Sequence, residues 1–546
     1  MTGAKILLEC LKEQGVDTLF GYPGGAVIPL YDALYDYEDF NHIRTAHEQG
    51  AVHGADGYAR STGKVGVCFV TSGPGATNAV TGIATAYMDS IPLVIITGQV
   101  STTLLGKDSF QEVDITGITF SVTKHNYLVR KVEDLSKTIH EAFKIAQSGR
   151  PGPVLIDIPK DIFLAEYAYE KIKHQNSIKE AKPLDENLLE EIVRLINNSR
   201  KPVIYSGGGV EISKAGGELI ALAEKGDIPV VNTLMALGNI PRNHNLSLGL
   251  VGMHGFKENN LAVTNSDLLI AIGARFSDRV VSNAKSFASH AKIIHIDIDC
   301  SEIDKNVDAH ISMVGDLKAI LKSIGEKVEK KDNSSWIEEI NSFKVKEKSN
   351  EEEFSPKNIL KSFNKILGEN SLVATDVGQH QMWAAQYWDF NTPKSFITSG
   401  GLGTMGFGMG AAIGAKVGNP EKEVLLVTGD GSFRMNCNEL FTIHRYNIPI
   451  TILMMNNKTL GMVRQWQRMF CGARYSETDM EDFNYVKLVE GYGIEAYKAS
   501  SMEELKGILG KVEIGVKPLF IECQIDKEES VYPIVPPGKP IYNVVI

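Results

Sequence analysis

VLLVTGDGSFRMNCNELFTIHRYNIPITILMMNNKTLGMV, residues Val424 to Val463, is the stretch on which the fold turns. An apolar strand, Val424 to Val427, meets the turn Gly429-Asp430-Gly431-Ser432. A helix follows, then a second apolar strand, Ile448 to Met455, that ends in Asn456-Asn457. Two strands joined through a helix pair in parallel, so their C-terminal ends share one sheet edge and Asp430 and Asn457 converge there. A carboxylate, an amide oxygen and a loop carbonyl are ligands for a hard divalent cation, and Mg²⁺ completes such a shell with waters and phosphate oxygens. The glycines let backbone N–H groups approach those phosphates. The segment therefore reads as a cradle for a metal-bound diphosphate.

At 546 residues the chain exceeds one hydrophobic core, and three or four domains are expected. Its 43% hydrophobic and 23% charged residues are those of a globular protein, and a net charge of −11 argues against nucleic acid or a membrane surface as a general partner. The six cysteines, Cys10, Cys68, Cys300, Cys437, Cys471 and Cys523, form no CxxC pair and fit reduced thiols. The first residues read as an amphipathic helix rather than a signal peptide, and no apolar run approaches the ~18 residues of a membrane span. A cytoplasmic enzyme is expected.

Outward from the cradle, apolar strands alternate with helical stretches along the whole chain, the pattern of an α/β fold with parallel sheets. Residues 1–165 hold the strands Thr18 to Phe20, Val65 to Val70, Leu93 to Thr97 and Val154 to Ile158. They also hold the helical HEQGAVHGADGYARSTG, His47 to Gly63, and the turn TSGPGATN, Thr71 to Asn78. Tyr167 to Leu184 is polar and Lys-rich, as a linker is. Residues 185–325 form a second unit, in which a strand runs into Gly207-Gly208-Gly209 and further strands end in GARFSDR, Gly273 to Arg279, and IIHIDID, Ile293 to Asp299. Strand ends carrying Gly, Arg and Asp suit a dinucleotide lying across a sheet edge. Gly325 to Ser355 has the composition of a solvated connector with some helix. Residues 356–546 form the third unit, with DVGQHQMWAAQYW, the run SGGLGTMGFGMGAAIGA, the cradle, and a Pro-rich tail, PIVPPGKPIYNVVI, expected to fold back as a lid. The glycine run serves either close helix packing or a flat ligand.

Taken together and in order, HEQGAVHGADGYAR, TSGPGATN, GKDSFQEVD, GPVLIDIPKD, GMHG, GARFSDR, VGQHQMWAAQ, TSGGLGTMG, GDGSF, NN and GMVRQWQ resemble the acetohydroxyacid synthase (acetolactate synthase) catalytic-subunit family of thiamine diphosphate enzymes, over nearly the whole chain. The resemblance implies three doubly wound parallel-sheet domains: aminopyrimidine-binding (1–165), central FAD-binding (185–325) and diphosphate-binding with a C-terminal lid (356–546). It implies thiamine diphosphate, Mg²⁺ and FAD as cofactors. The active site would form between two chains of a homodimer or homotetramer, and a separate small regulatory subunit is a possible partner.

Residue by residue, the resemblance implies the following roles. Glu48 hydrogen-bonds the aminopyrimidine, and Met405 wedges the cofactor into a bent shape. Asp430, Asn457 and the Thr459 carbonyl ligate Mg²⁺. Gly73, Pro74, Asn78, Val377, Gly378, Gln379, His380, Gly403, Gly429, Gly431, Ser432, Gly461 and Met462 line the thiamine site. Arg150, Gly207, Gly208, Gly209, Met253, His254, Gly273, Arg275, Arg279, Asp297 and Asp316 belong to the flavin regions. Trp466 favours the larger acceptor, Gln111 and Phe110 lie near the reacting centre, and Lys160 and Arg279 could meet the acceptor carboxylate. The implied reaction decarboxylates pyruvate and condenses the retained two-carbon unit with a second pyruvate, giving 2-acetolactate, or with 2-ketobutyrate, giving 2-aceto-2-hydroxybutyrate. FAD would be largely structural. Rival readings are a 2-keto acid decarboxylase, whose tandem His pair this chain lacks, pyruvate oxidase, and a non-catalytic paralogue. Met409-Gly410, where the family often has Leu-Pro, and Ser277, where it often has Asp, depart from the pattern.

Overall fold

The computed structural model describes residues 1–171, 184–345 and 350–546. Three six-stranded sheets follow one another, and every strand pair is parallel. The first contains β1 (Thr18–Gly21), β2 (Asn41–Arg44), β3 (Gly66–Val70), β4 (Leu93–Gln99), β5 (His125–Leu128) and β6 (Val154–Pro159), ordered β2-β1-β3-β4-β6-β5. The second contains β7 (Pro202–Ser206), β8 (Val230–Asn232), β9 (Ser247–Leu250), β10 (Leu268–Ile272), β11 (Lys292–Asp297) and β12 (Ile311–Val314), ordered β12-β11-β10-β7-β8-β9. The third contains β13 (Leu372–Thr375), β14 (Phe396–Ile397), β15 (Val424–Gly429), β16 (Thr451–Asn456), β17 (Glu495–Ala499) and β18 (Leu519–Gln524), ordered β14-β13-β15-β16-β18-β17.

The first and third sheets thus share one topology, and the second has the dinucleotide-fold order. The three units look alike in sequence because each alternates strand and helix; strand order separates them. Central strands such as β4 and β15 are buried throughout, as parallel strands covered on both faces are. The strand expected at Ile448 to Met455 begins only at Thr451, after Pro449, which has no N–H for the ladder.

The first and third units share a core through two helices, Glu48–Thr62 and Phe407–Gly418. Both are built of small residues at the contact. A Cβ added at Gly414 would lie 1.8 Å from the Gly54 carbonyl oxygen, and one at Gly57 would lie 2.1 Å from that of Ala411. Gly410 abuts His53, and Met409 is buried in the same core. In this part of the glycine-rich run the small residues serve backbone-to-backbone packing.

One sequence expectation needs correction. The connector Gly325 to Ser355 is not solvated throughout: the helix Ser334–Ser342 buries Trp336 and Ile340 against the second sheet, and the Trp336 indole N–H donates to the Pro202 carbonyl. The C-terminal tail folds back onto the second unit. Val535 N–H donates to Met253 O, Ile534 and Val545 form an antiparallel bridge, and Ile541 enters the core of the second unit. The linker expected at Tyr167 to Leu184 lies largely outside the described residues; its start is held by paired Met1 and Tyr167 backbone bonds. Among the described residues no helix is long and apolar enough to cross a membrane.

Candidate active site

In the third sheet the strand order reverses between β13 and β15, and the crevice outside that point is where open α/β sheets bind ligands. Asp376-Val377-Gly378 leaves β13 there and Asp430 leaves β15. Asp430 is 2% exposed; the backbone N–H groups of Asp430 and Gly431 bond to its carboxylate, and among the described residues no side-chain hydrogen bond or ion pair answers its charge. The nearby Arg434 is bonded to the Tyr485 hydroxyl at 2.6 Å and to Glu481 instead. Burial pushes the Asp430 carboxyl up to about 6, so a cation at this point would restore its ionised form. Asn457, one residue past β16, donates its Nδ2 to Gln379 Oε1 at 3.0 Å, which fixes the amide and leaves Oδ1 as the outward acceptor. Gly461 is required beside them: a Cβ there would lie 2.0 Å from Gln379 Oε1. Thr459 is buried, its hydroxyl bonded to Thr478 O at 2.7 Å, while Leu460 N–H to Thr478 O and Met480 N–H to Lys458 O fix the backbone on either side. Carboxylate, amide oxygen and main-chain carbonyl form a donor set that fits Mg²⁺.

The surroundings fit a diphosphate. A Cβ at Gly429 would lie 2.8 Å from His380 Nδ1, and one at Gly378 would lie 2.9 Å from His380 Cε1. The His380 Nε2 is buried without a partner, and burial lowers this imidazole to about 3, so the ring is neutral. Ser432 donates its hydroxyl to Val377 O at 2.9 Å, and Gln379 accepts from Asn457 through Oε1 while its Nε2 donates to Gln465 Oε1 and Glu529 O; these two side chains brace the cradle. Met405 stands over it, with Cε 3.7 Å from where a Gly431 Cβ would be.

A second cluster lies at the edge of the first sheet. Glu48 opens the helix Glu48–Thr62 and accepts from Asn78 Nδ2 at 3.0 Å. A Cβ at Gly75, in the turn with Gly73 and Pro74, would lie 3.2 Å from Glu48 Oε1. Gln111, at φ 59°, crosses Gly73 closely enough that a Cβ there would meet its backbone at 2.8 Å. Phe110 is 88% exposed, and Lys160 begins the helix after β6. Within one chain no hydrogen bond or ion pair among the described residues joins the Glu48 cluster to the Asp430 cluster.

A cavity of about 1270 Å³, lined by all three units and bordered on the first by Arg60, Asp89 and Arg150, is larger than the ~300–1,000 Å³ of ordinary small-ligand pockets. One end is the switch point of the second sheet, where Gly207, Gly208 and Gly209 follow β7 and Gly273 to Arg275 follow β10. A Cβ at Gly207 would lie 2.0 Å from the Gly273 carbonyl oxygen, so the glycines allow that crossing. Arg150, Met253, His254, Arg279, Asp297 and Asp316 line the middle, and Val377, Gly378, Gly403, Met462 and Trp466 the far end, so the cavity reaches the cradle. Arg279 stacks its guanidinium over Trp466 at 5.5 Å. The buried His254 Nδ1 and the Trp466 Nε1 have no hydrogen-bond partner among the described residues, and burial lowers His254 to about 4. Arg150 is already engaged with Glu302 at 2.7 Å and Asp299 at 3.3 Å. Phe110 and Lys160 do not line this cavity.

Sequence reasoning passed over several buried carboxylates that hold these pieces in place. Asp376 accepts from Gly408 N–H and the Thr428 hydroxyl. Glu439 accepts from Ala46 N–H and His47 N–H, each at 3.0 Å, just before Glu48. Their partners are backbone groups remote in the chain, which no local motif reveals.

The sequence matches three family models in succession: the N-terminal TPP binding domain of thiamine pyrophosphate enzymes over residues 1–118, the central domain over 189–324 and the C-terminal TPP binding domain over 376–523. A probable acetolactate synthase large subunit of Methanocaldococcus jannaschii is 47% identical over all of this chain and 95% of its own length. The acetolactate synthase large subunits of Lactococcus lactis and Corynebacterium glutamicum are 44% and 45% identical over 98% of the chain, covering 95% and 89% of their own lengths.

Proposed function

Since the chain belongs to the acetolactate synthase large-subunit family of thiamine pyrophosphate enzymes, we propose that the two clusters and the cavity are the parts of one carboligase site. The enzyme decarboxylates pyruvate and joins the remaining two-carbon unit to a second 2-keto acid, pyruvate or 2-ketobutyrate. The single observation that carries the assignment of the metal site is Asp430, a buried carboxylate with no cationic partner, beside the Asn457 amide and the Thr459 carbonyl.

Thiamine diphosphate, when bound, supplies the carbon nucleophile and takes up the charge left as carbon dioxide departs. The chain's residues do the rest. Asp430, Asn457 and Thr459 hold Mg²⁺, while Gly378, Gly429 and the unpartnered His380 Nε2 meet the phosphates. Glu48, steadied by Asn78, holds a proton against a ring nitrogen of the cofactor and so sets its tautomer. Met405 keeps the cofactor folded over the cradle. Trp466 and Met462 form an apolar wall that excludes water and gives the acceptor's alkyl group a surface, and Arg279 presents a cation to its carboxylate.

The cavity would hold FAD, with Gly207 to Gly209 and Gly273 at the switch point of the second sheet admitting a dinucleotide; its size, these glycines and the unpartnered His254 Nδ1 support this. Two copies of the chain complete the site, Glu48 from one facing Asp430 of the other. Exposed apolar side chains beside each cluster support that arrangement: Phe110 and Phe120 near Glu48, Met435 and Phe441 after Asp430. The relatives are named large subunits, which supports a separate smaller partner chain. Calorimetric titration of thiamine diphosphate tests the site. Saturable binding is expected with Mg²⁺, none with chelator, and none in Asp430→Ala; an unaltered affinity in that variant contradicts the assignment.

A further inference from the structure

The helix Pro74–Asp89 of the first unit ends on a buried ion cluster that reaches into the third unit. Asp89 Oδ2 accepts from Gly400 N–H at 3.0 Å, and its Oδ1 accepts from Gly401 N–H at 2.7 Å. The same carboxylate binds Arg60 Nη2 at 2.9 Å, and Arg60 is paired on its other side with Asp56. The side chains of Asp56 and Asp89 are fully buried and that of Arg60 is 5% exposed. Arg60 donates a further bond to Thr398 O at 2.8 Å and lies over the Phe407 ring at 5.2 Å. One turn earlier on the helix, the Thr85 and Thr404 hydroxyls meet at 2.7 Å. Both arms of the segment from Thr398 to Phe407 are therefore tied to the first unit of the same chain. Gly400 to Gly403 line the cavity and Met405 overhangs the cradle, so the tie acts on both.

An amide in place of the carboxylate would face one glycine N–H with its own N–H₂ and leave Arg60 with one counter-charge for two bonds. The Ser399 hydroxyl accepts from Thr404 N–H at 3.0 Å and closes the base of the loop, while Gly400 and Gly401 have no side chains and take their course from the Asp89 carboxylate. We propose that Asp89, backed by Arg60, is a positioning residue that sets the loop Ser399–Met405, and through it the binding of both thiamine diphosphate and flavin. This rests on the reading of the cradle and cavity given above. The helix also carries Asn78, so one element steadies Glu48 and the Met405 loop.

The test is Asp89→Asn in the full-length enzyme, with apparent affinities for thiamine diphosphate (with Mg²⁺) and FAD measured by calorimetry and by quenching of flavin fluorescence. Loss of a charge-assisted bond predicts a weakening of each by about 10-fold or more, with a smaller loss of kcat at saturating cofactors and a cooperative melt. A merely structural role would lower the melting point without that split. A folded variant that binds both cofactors as the parent does overturns the proposal. Thr85→Val, which keeps side-chain shape and removes the hydroxyl's contact with Thr404 together with its bond to Thr81 O within the same helix, serves where Asp89→Asn does not fold: about a 3-fold weakening is expected, and none overturns it. A parent protein that takes up no flavin contradicts the cavity reading alone, and the thiamine titration then decides on Asp89.

Discussion

Replacing Glu48 by Gln keeps the side chain's shape and its contact with Asn78 but removes the ionisable oxygen. If Glu48 sets the cofactor's tautomer, turnover falls by roughly 10²-fold or more, the range of proton-transfer groups, while the melting curve and flavin content stay as in the parent. Near-normal acetolactate formation contradicts the assignment. Trp466→Leu should lower the preference for 2-ketobutyrate over pyruvate by about 10-fold, the scale of one methylene's fit in an apolar pocket; the product ratio from mixed substrates measures it. That Asp430 and Asn457 follow neighbouring parallel strands was legible in the sequence, because such strand ends share an edge, whereas the Thr459 carbonyl came only with the family resemblance. The roles of Glu439 and Asp89 were not, since a carboxylate that receives backbone N–H groups from Ala46, His47, Gly400 and Gly401 leaves no pattern in its own neighbourhood.

At the scale of elements, the helix pair Glu48–Thr62 and Phe407–Gly418 decides how the first and third units meet. Gly414→Ala drives a methyl into the Gly54 carbonyl and should destabilise the protein by about 1–3 kcal/mol, the cost of overpacking. Gly217→Ala, on an open helix face, should be neutral or slightly stabilising. Denaturant unfolding compares the two. The buried strands were legible as apolar runs; the edge strands β2 and β5 were not, because their exposed, polar residues carry no such signal. Some helix was legible in the Lys- and Glu-rich stretch around Trp336, but not its packing, in which Trp336 and Ile340 enter one core and Ile337 lies against another.

For the whole molecule, strand order separates two cofactor-holding units of one topology from a dinucleotide-type unit between them, a distinction that strand–helix alternation cannot carry. The first sheet also contains a pH-dependent element. Burial pushes Asp157 up to about 7, against the bonds from Thr97 and Gln99. Its ordinary value is about 4, so between about pH 4 and 7 the folded state keeps a proton that the unfolded state loses. The stability it contributes is present below pH 4 and is lost as pH rises through 7. Asp157→Asn should therefore flatten the fall in unfolding midpoint between pH 5 and pH 8.

Purified protein supplied with pyruvate, Mg²⁺, thiamine diphosphate and FAD, with acetolactate, acetaldehyde and acetate quantified separately, tests the central claim most directly. Acetolactate as the main product, absent without thiamine diphosphate or Mg²⁺, is the predicted result. Acetaldehyde or acetate in its place, or no cofactor-dependent release of carbon dioxide, would contradict it.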